Sequence, residues 1–245
     1  MGKLDGKVAI ITGGGTGIGR GIAVSFLSEG CTVVISGRRA EVLEKAKSEL
    51  EADGGTVMAV QSDVAKEDDV ISLFKQTVER FGKLDILVNN AGVNSRAPID
   101  ETSLEDWQYT VDINLTGPFL CTREAIKIMK PQGGGRIINV GSISANVPRP
   151  DAVGYTATKH GMTGLTKTTA LEGRDFGISC GQLNPGNTMT EIMVATHARE
   201  GADANPTIPV SALGDAALYM ATLPPEANVL EMTVMPIIQP YVGRG

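Results

Sequence analysis

Apolar residues in this chain come in short aliphatic runs that end in glycine or polar turns, and longer stretches of helical period separate the runs. Residues 7–12 (KVAIIT), 32–36 (TVVIS), 56–61 (TVMAVQ), 85–89 (DILVN), 136–140 (RIINV) and 178–183 (ISCGQL) each read as a buried strand. Residues 228–235 read as a last strand. Helical periodicity covers 17–29, 40–52, 67–81, 103–130, 153–176 and 209–223. Ser103 with Asp106 supplies a capping signal for the fourth of these helices. Strand and helix alternate almost throughout. That pattern predicts right-handed crossovers and one doubly wound parallel sheet, α/β in class, with helices on both faces. Neither a linker nor an internal repeat divides the chain, so residues 1–245 are expected to form one domain. The irregular stretch at about 187–207 reads as a loop beside the sheet's carboxyl edge, where lids commonly sit.

The carboxyl ends of the strands carry the candidate chemistry, because ligands collect there in such sheets. The first strand runs into Thr12-Gly13-Gly14-Gly15-Thr16-Gly17-Ile18-Gly19. Glycines let a backbone approach a pyrophosphate, which then rests on the following helix N-terminus. The run of small residues favours a nucleotide over a plain turn, and with no following Lys-Ser or Lys-Thr it is not a P-loop. After the second strand comes Ser36-Gly37-Arg38-Arg39. An NAD site usually has a carboxylate here for the adenosine ribose. Arg38 instead offers a guanidinium fork to a 2'-phosphate, so NADP(H) is favoured and NAD(H) remains possible; two solvated arginines would also fit. Asp63, followed by Val64, can accept a hydrogen bond from an adenine amine or cap a helix. Asn89-Asn90-Ala91-Gly92 is small enough to pass close to a cofactor, and it also suits a simple turn.

Ser142 follows the fifth strand and points to the same crevice as the helix carrying Tyr155 and Lys159. Those two lie four residues apart, one turn along a single helix face. An ammonium beside a phenol favours the phenolate and lowers its pKa, which suits proton exchange with an alcohol oxygen. By itself the spacing also fits an exposed helix without chemistry. His160 points off the Tyr155 face and no GxSxG surrounds Ser142, which argues against a Ser-His-Asp hydrolase.

Composition narrows the partners. The formal charge of -6 leaves no basic footprint for nucleic acid or an anionic membrane. Cys31, Cys121 and Cys180 are too scattered for a disulfide framework, and two histidines make no zinc site. No apolar run is long enough to span a bilayer and the N-terminus lacks a signal-peptide core, so a cytoplasmic location is expected.

Taken together, TGGGTGIG, Asp63, NNAG, Asn114, Ser142, YxxxK and Pro185-Gly186, in register over about residues 5–223, resemble the short-chain dehydrogenase/reductase family. The resemblance implies a Rossmann-type seven-stranded sheet of order 3-2-1-4-5-6-7 and hydride transfer between NAD(P) and an alcohol/carbonyl pair. It implies Tyr155 as general acid or base, Lys159 lowering the Tyr155 pKa and bonding the nicotinamide ribose, and Ser142 bonding the substrate oxygen. Asn114 would hold a water in a relay through Lys159. The implied cofactor contacts are Gly13, Thr16, Gly17, Ile18, Gly19, Arg38, Arg39, Asp63, Val64, Asn90, Ala91 and Gly92. Tyr155, Lys159, Pro185, Gly186, Thr188 and Thr190 join them, with Thr188 and Thr190 facing the nicotinamide carboxamide. A homotetramer or homodimer built on the two long helices is likewise implied. The family's glycine-rich turn after the last strand is missing. The chain reads Glu231-Met232-Thr233-Val234-Met235-Pro236 and ends in an atypical tail, about 236–245. This departure argues against the ketoacyl reductases of fatty-acid synthesis. Ser144, Asn146, Met189 and Met193, with Val93, Asn94, Val147 and Ile192, make a mixed pocket wall for a mainly apolar carbonyl compound. Arg149 and His197 are candidates for an acidic group, or are simply solvated.

Overall fold

The computed structural model describes residues 2–191, 193–194, 198 and 206–241. Seven strands form one sheet: β1 (Val8–Thr12), β2 (Thr32–Gly37), β3 (Thr56–Gln61), β4 (Ile86–Asn89), β5 (Gly135–Val140), β6 (Ile178–Pro185) and β7 (Glu231–Val234). Their order is β3-β2-β1-β4-β5-β6-β7, and every pairing is parallel. The expected sheet, order and class therefore hold. The helices are α1 (Gly17–Leu27), α2 (Ala40–Ala52), α3 (Glu67–Phe81), α4 (Leu104–Val111), α5 (Gly117–Gln132), α6 (Val153–Gly173) and α7 (Val210–Thr222).

Side chains alternate along each strand between two apolar layers, as strand geometry requires. Ile11, Val33, Ile35 and Leu183 pack with Phe26, Leu43 and Leu213 from α1, α2 and α7. Ile10, Val34, Leu87 and Ile137 face the other way, onto Phe74, Cys121 and Met129 from α3 and α5. With both faces covered, β1 and β2 carry unbroken aliphatic runs, Val8–Ile11 and Val33–Ile35, instead of alternating with polar residues. α1 and α7 cross at glycines: a Cβ on Gly214 would meet the Gly21 carbonyl, and one on Gly21 would meet Val210 at 3.0 Å.

Three boundaries depart from the periodicity. The stretch 103–130 is not one α-helix, because a π-helical segment, Asp112–Thr116, separates α4 from α5. The Gly117 amide donates to the Asp112 carbonyl, five residues back. Pro118 has no N–H to give the Asn114 carbonyl four residues back, so regular α-bonding fails here for a covalent reason. The stretch 153–176 ends as α6 at Gly173 and continues as one 3-10 turn, Arg174–Phe176, before Gly177 at φ 68°. The last strand is shorter than 228–235, because the Asn228 side chain donates to the Cys180 carbonyl and Ala227 closes a turn on Pro224. The expected cap stands: Ser103 Oγ accepts the Asp106 amide at 3.0 Å.

Candidate active site

The ends of β1 and β4 are stitched together. Thr12 Oγ1 accepts the amides of Asn90 and Ala91, both at 3.0 Å, and Asn90 Nδ2 donates to the Thr12 carbonyl at 2.9 Å. Gly13 turns at φ +65°, and a Cβ at Gly19 would collide with the Asn90 side chain and the Gly13 carbonyl. The backbone is thus laid open at the N-terminus of α1, where N–H groups point outward. A cleft of about 200 Å³ here is lined by Gly13, Thr16, Arg38, Arg39, Asp63 and Val64, with Ala91 and Gly92 across it. A second, of about 790 Å³, shares Gly13, Thr16, Arg39, Ala91 and Gly92 with it and adds Gly17, Ile18, Asn90 and Thr190. Ser36 and Ser62 also line the first cleft, and their buried hydroxyls have no hydrogen-bond partner among the described residues. Unpartnered buried hydroxyls are costly, so a polar occupant fits this place.

Arg38 is held from a distance. Its Nη1 lies 3.0 Å from the Tyr109 hydroxyl, and its guanidinium sits 5.8 Å over the Tyr109 ring. Tyr109 is on α4, 71 positions away in sequence, so no local signal announces the contact. Asp63 does not cap α3, whose N-cap is Lys66. Instead its Oδ1 accepts the Ala65 amide at 3.1 Å, a tight turn that fixes the carboxylate at the cleft wall.

The remaining candidates meet at the carboxyl ends of β4, β5 and β6. Lys159 is 4% exposed, and its Nζ donates to the Val140 carbonyl at 2.8 Å. The same ammonium lies 5.6 Å from the centre of the Tyr155 ring. Asn114 is locked by Val93: Oδ1 accepts the Val93 amide and Nδ2 donates to the Val93 carbonyl, both at 2.8 Å. A Cβ on Gly92 would lie 3.3 Å from Asn114 Oδ1 and 4.0 Å from Lys159 Nζ, so the NNAG turn, Asn114 and Lys159 are neighbours. Ser142 Oγ accepts the Ser144 amide at 3.1 Å, which leaves its own hydrogen free to donate.

Burial holds the Lys159 ammonium below the ordinary lysine range, and the nearby Tyr155 works against that shift. The unfolded chain keeps this proton to about pH 10.4. Between the lowered folded value and that point the unfolded state binds more protons, so stability rises with pH through the window. Thermal unfolding from about pH 7.5 to pH 10 is expected to show this rise in the native chain and not in Lys159→Met. Equal slopes would show that the ammonium is not desolvated.

An amide chain unmarked by any motif supports the site. Asn89 Nδ2 donates to Asn139 Oδ1 at 2.9 Å, Asn139 reaches Thr166 at 2.9 Å, and Thr166 reaches Gln182 at 3.1 Å. Gln182 Nε2 donates to Asn184 Oδ1 at 2.8 Å, and the same oxygen accepts the Ser142 amide at 3.1 Å. Asn184 Nδ2 and Asn146 Nδ2 both donate to Glu231 on β7, at 2.9 and 2.8 Å. Asn146 also lies 3.4 Å from the Tyr241 hydroxyl. Polar residues two apart in a buried strand, Gln182 and Asn184, were the available signal.

At the end of β6, Pro185 leads into Gly186, whose amide donates to the Val234 carbonyl, and Thr188 Oγ1 turns back to Gly186 at 3.1 Å. The Asn187 amide is held by Gln239 of the tail at 2.9 Å. A bridge between Thr188 and Ile208 brings the two ends of the loop together. Thr190 faces Gly17, with its Cγ2 3.2 Å from where a Cβ would stand. Met189 and Met193 follow on the same loop, while Ile192, His197 and residues 242–245 lie outside the described residues.

The short chain dehydrogenase family matches residues 7–201. A 3-oxoacyl-[acyl-carrier-protein] reductase from Synechocystis is 37% identical over 209 residues, covering 85% of this chain and 82% of that protein. A 3beta-hydroxysteroid dehydrogenase from Mediterraneibacter gnavus is 39% identical over 193 residues, covering 78% and 70%. Among solved structures, levodione reductase superposes with a TM-score of 0.88 at 28% identity, covering 94% of this chain and 96% of its own. A metagenomic short-chain oxidoreductase in complex with NADP gives 0.85 at 28% identity, covering 97% and 100%. This chain belongs to the short-chain dehydrogenase family. It is an NAD(P)-dependent oxidoreductase of the alcohol/carbonyl class.

Proposed function

We propose that the chain transfers a hydride between NADP(H) and a carbonyl or secondary alcohol substrate, with Tyr155 as the general acid/base. The observation that carries this reading is the cluster of Tyr155, Lys159 and Asn114 beside the glycine cleft, with Ser142 two residues past the Val140 carbonyl that Lys159 bonds. A bound nicotinamide cofactor supplies or accepts the hydride. In reduction, the Tyr155 hydroxyl gives its proton to the carbonyl oxygen, and the Ser142 hydroxyl donates a hydrogen bond to the same oxygen as charge builds there. In oxidation the proton returns to Tyr155. The Lys159 ammonium stabilises the phenolate and has two further N–H donors for a ribose hydroxyl. The Asn114 carbonyl, deprived of a partner four residues on by Pro118, is open to a water that refills the relay.

The clefts fit a dinucleotide by their glycine floor, the outward amides of α1 and the free hydroxyls of Ser36 and Ser62. Pyrophosphate would rest on Gly13, Thr16, Gly17, Ile18 and Gly19, and the adenosine beside Arg38, Arg39, Asp63 and Val64. Asn90, Ala91 and Gly92 would flank the nicotinamide side, where Pro185, Gly186, Thr188 and Thr190 also lie. Arg38 meets the 2'-phosphate. Ser144, Asn146, Met189 and Met193 line the substrate side.

Among the described residues no helix is long and apolar enough to cross a membrane. Cys121 and Cys180 are buried free thiols pushed up to about 12 by burial, which suits a reducing cytoplasmic setting. Exposed Phe119 on α5 and Leu171 on α6 support assembly into a homodimer or homotetramer through these helices. The test of function is a panel of ketones and alcohols followed by nicotinamide absorbance at matched NADPH and NADH. Turnover of carbonyls with NADPH is expected; no redox change with any of them would overturn the reading.

A further inference from the structure

We infer that Arg149 is the specificity residue of this site and that the substrate carries a carboxylate a few bonds from its reacting carbonyl. The inference rests on the proposed role of Tyr155. Arg149 lies in the loop between β5 and α6. Its guanidinium carbon sits 6.0 Å from the centre of the Tyr155 ring, and Nε donates to Ser144 Oγ at 3.1 Å. Ser144 is buried at the head of the crevice, two residues from Ser142. The hydrogen bond therefore holds the guanidinium beside the Tyr155 ring, on a serine whose amide bonds Ser142 Oγ.

The loop is built to hold that position. Pro148 and Pro150 flank Arg149 and restrict the backbone on both sides. The amides of Asn146 and Val147 fold back on the Ile143 carbonyl, and the Asp151 carbonyl is pinned by the Ala97 amide at 3.0 Å. Asp151 itself sits at φ 54°, an unusual backbone for a residue with a side chain.

Among the described residues, no carboxylate pairs with Arg149. The acid that reaches the crevice, Glu231, is engaged by Asn146 and Asn184. A half-buried, braced guanidinium with only Nε committed offers its remaining fork to a planar anion. A guanidinium held this near the Tyr155 ring suits a short oxo acid, such as a 2-oxo or 3-oxo acid, or the matching hydroxy acid. Ser144, on the substrate side, then also acts as a positioning residue for Arg149.

The experiment compares acetoacetate with methyl acetoacetate, and a 2-oxo acid with its methyl ester, in the full-length protein with NADPH. The native chain is expected to favour the acids at least about tenfold in kcat/KM, mainly through KM. In Arg149→Gln that ratio falls to near one, and Arg149→Lys keeps part of it. A native ratio near one, or an unchanged ratio in Arg149→Gln, overturns the assignment. An equal loss on acid and ester also overturns it, since the guanidinium would then be acting on Tyr155. If Arg149→Gln does not fold, competition in the native chain decides: acetate and malonate compete with substrate while acetamide does not, and equal effects overturn the proposal. Ester turnover without acid preference leaves the Tyr155 reading standing, whereas no turnover of any carbonyl with either nicotinamide defeats that reading first.

Discussion

Tyr155→Phe lowers kcat by about 10²–10⁴-fold, the range that a positioned acid or base supplies. The substitution removes one hydroxyl and keeps the ring, so the packing around it and the ring's contacts with Lys159 and Arg149 survive. The glycine cleft lies on other elements, so the cofactor dissociation constant stays within about threefold, as a charge-neutral loss far from the phosphates requires. Stopped-flow or steady-state nicotinamide absorbance reads the first quantity and fluorescence titration the second. Activity within a factor of about ten of the native chain would show that the proton comes from elsewhere. A parallel loss of cofactor affinity would show that the variant had disturbed the cleft.

The second large effect is expected at Arg38. A guanidinium on a phosphate makes charge-assisted hydrogen bonds worth about 1.5–3 kcal/mol each, so losing one or two costs roughly 10²-fold in affinity. Arg38→Ser is therefore expected to lower the NADPH-to-NADH ratio of kcat/KM by about 10²-fold. Tyr109→Phe should give part of that loss, because the Tyr109 hydroxyl, 3.0 Å from Arg38 Nη1, holds the guanidinium in place. The native preference should also weaken with salt, since this charge is near the surface. A ratio that does not move in Arg38→Ser would assign the second arginine, Arg39, or no arginine, to the phosphate.

The two predictions draw on different levels of the molecule. The Tyr155 and Lys159 pairing was legible because helix geometry converts a spacing of four into a shared face. Likewise the glycine turn was legible because Gly13 and Gly19 satisfy backbone demands that other residues cannot. Arg38 was readable as a charge, but its clamp on Tyr109 was not. That contact joins the end of β2 to α4, and only the packing of α4 over the cleft creates it. The π segment at Asn114 was half legible: Pro118 stood in the sequence, yet its effect depends on which carbonyl it leaves unbonded. The amides of Asn89, Asn139, Gln182 and Asn184 were unread because they are spread over three strands and only the Gln182 and Asn184 pair stands out on one of them. The parallel register sets Asn89 beside Asn139 and Asn139 beside Gln182, and so makes them one chain.

By itself the sequence determined the order and class of the elements, since aliphatic runs of strand length and helical stretches each have one economical way to bury their apolar faces. It also determined which residue types stand at the strand ends, where a doubly wound sheet gathers its ligands. What only the tertiary structure decided is how those residues are held. Lys159 sits on the Val140 carbonyl, Ser142 hangs from Asn184, and Glu231 of the atypical last strand ties that support to Asn146. Arg149 is tied to Ser144 and lies over the Tyr155 ring. The physical reason is the same in each case: hydrogen-bond partners between neighbouring strands and loops are chosen by register and packing, and neither is written in the local pattern of any one segment.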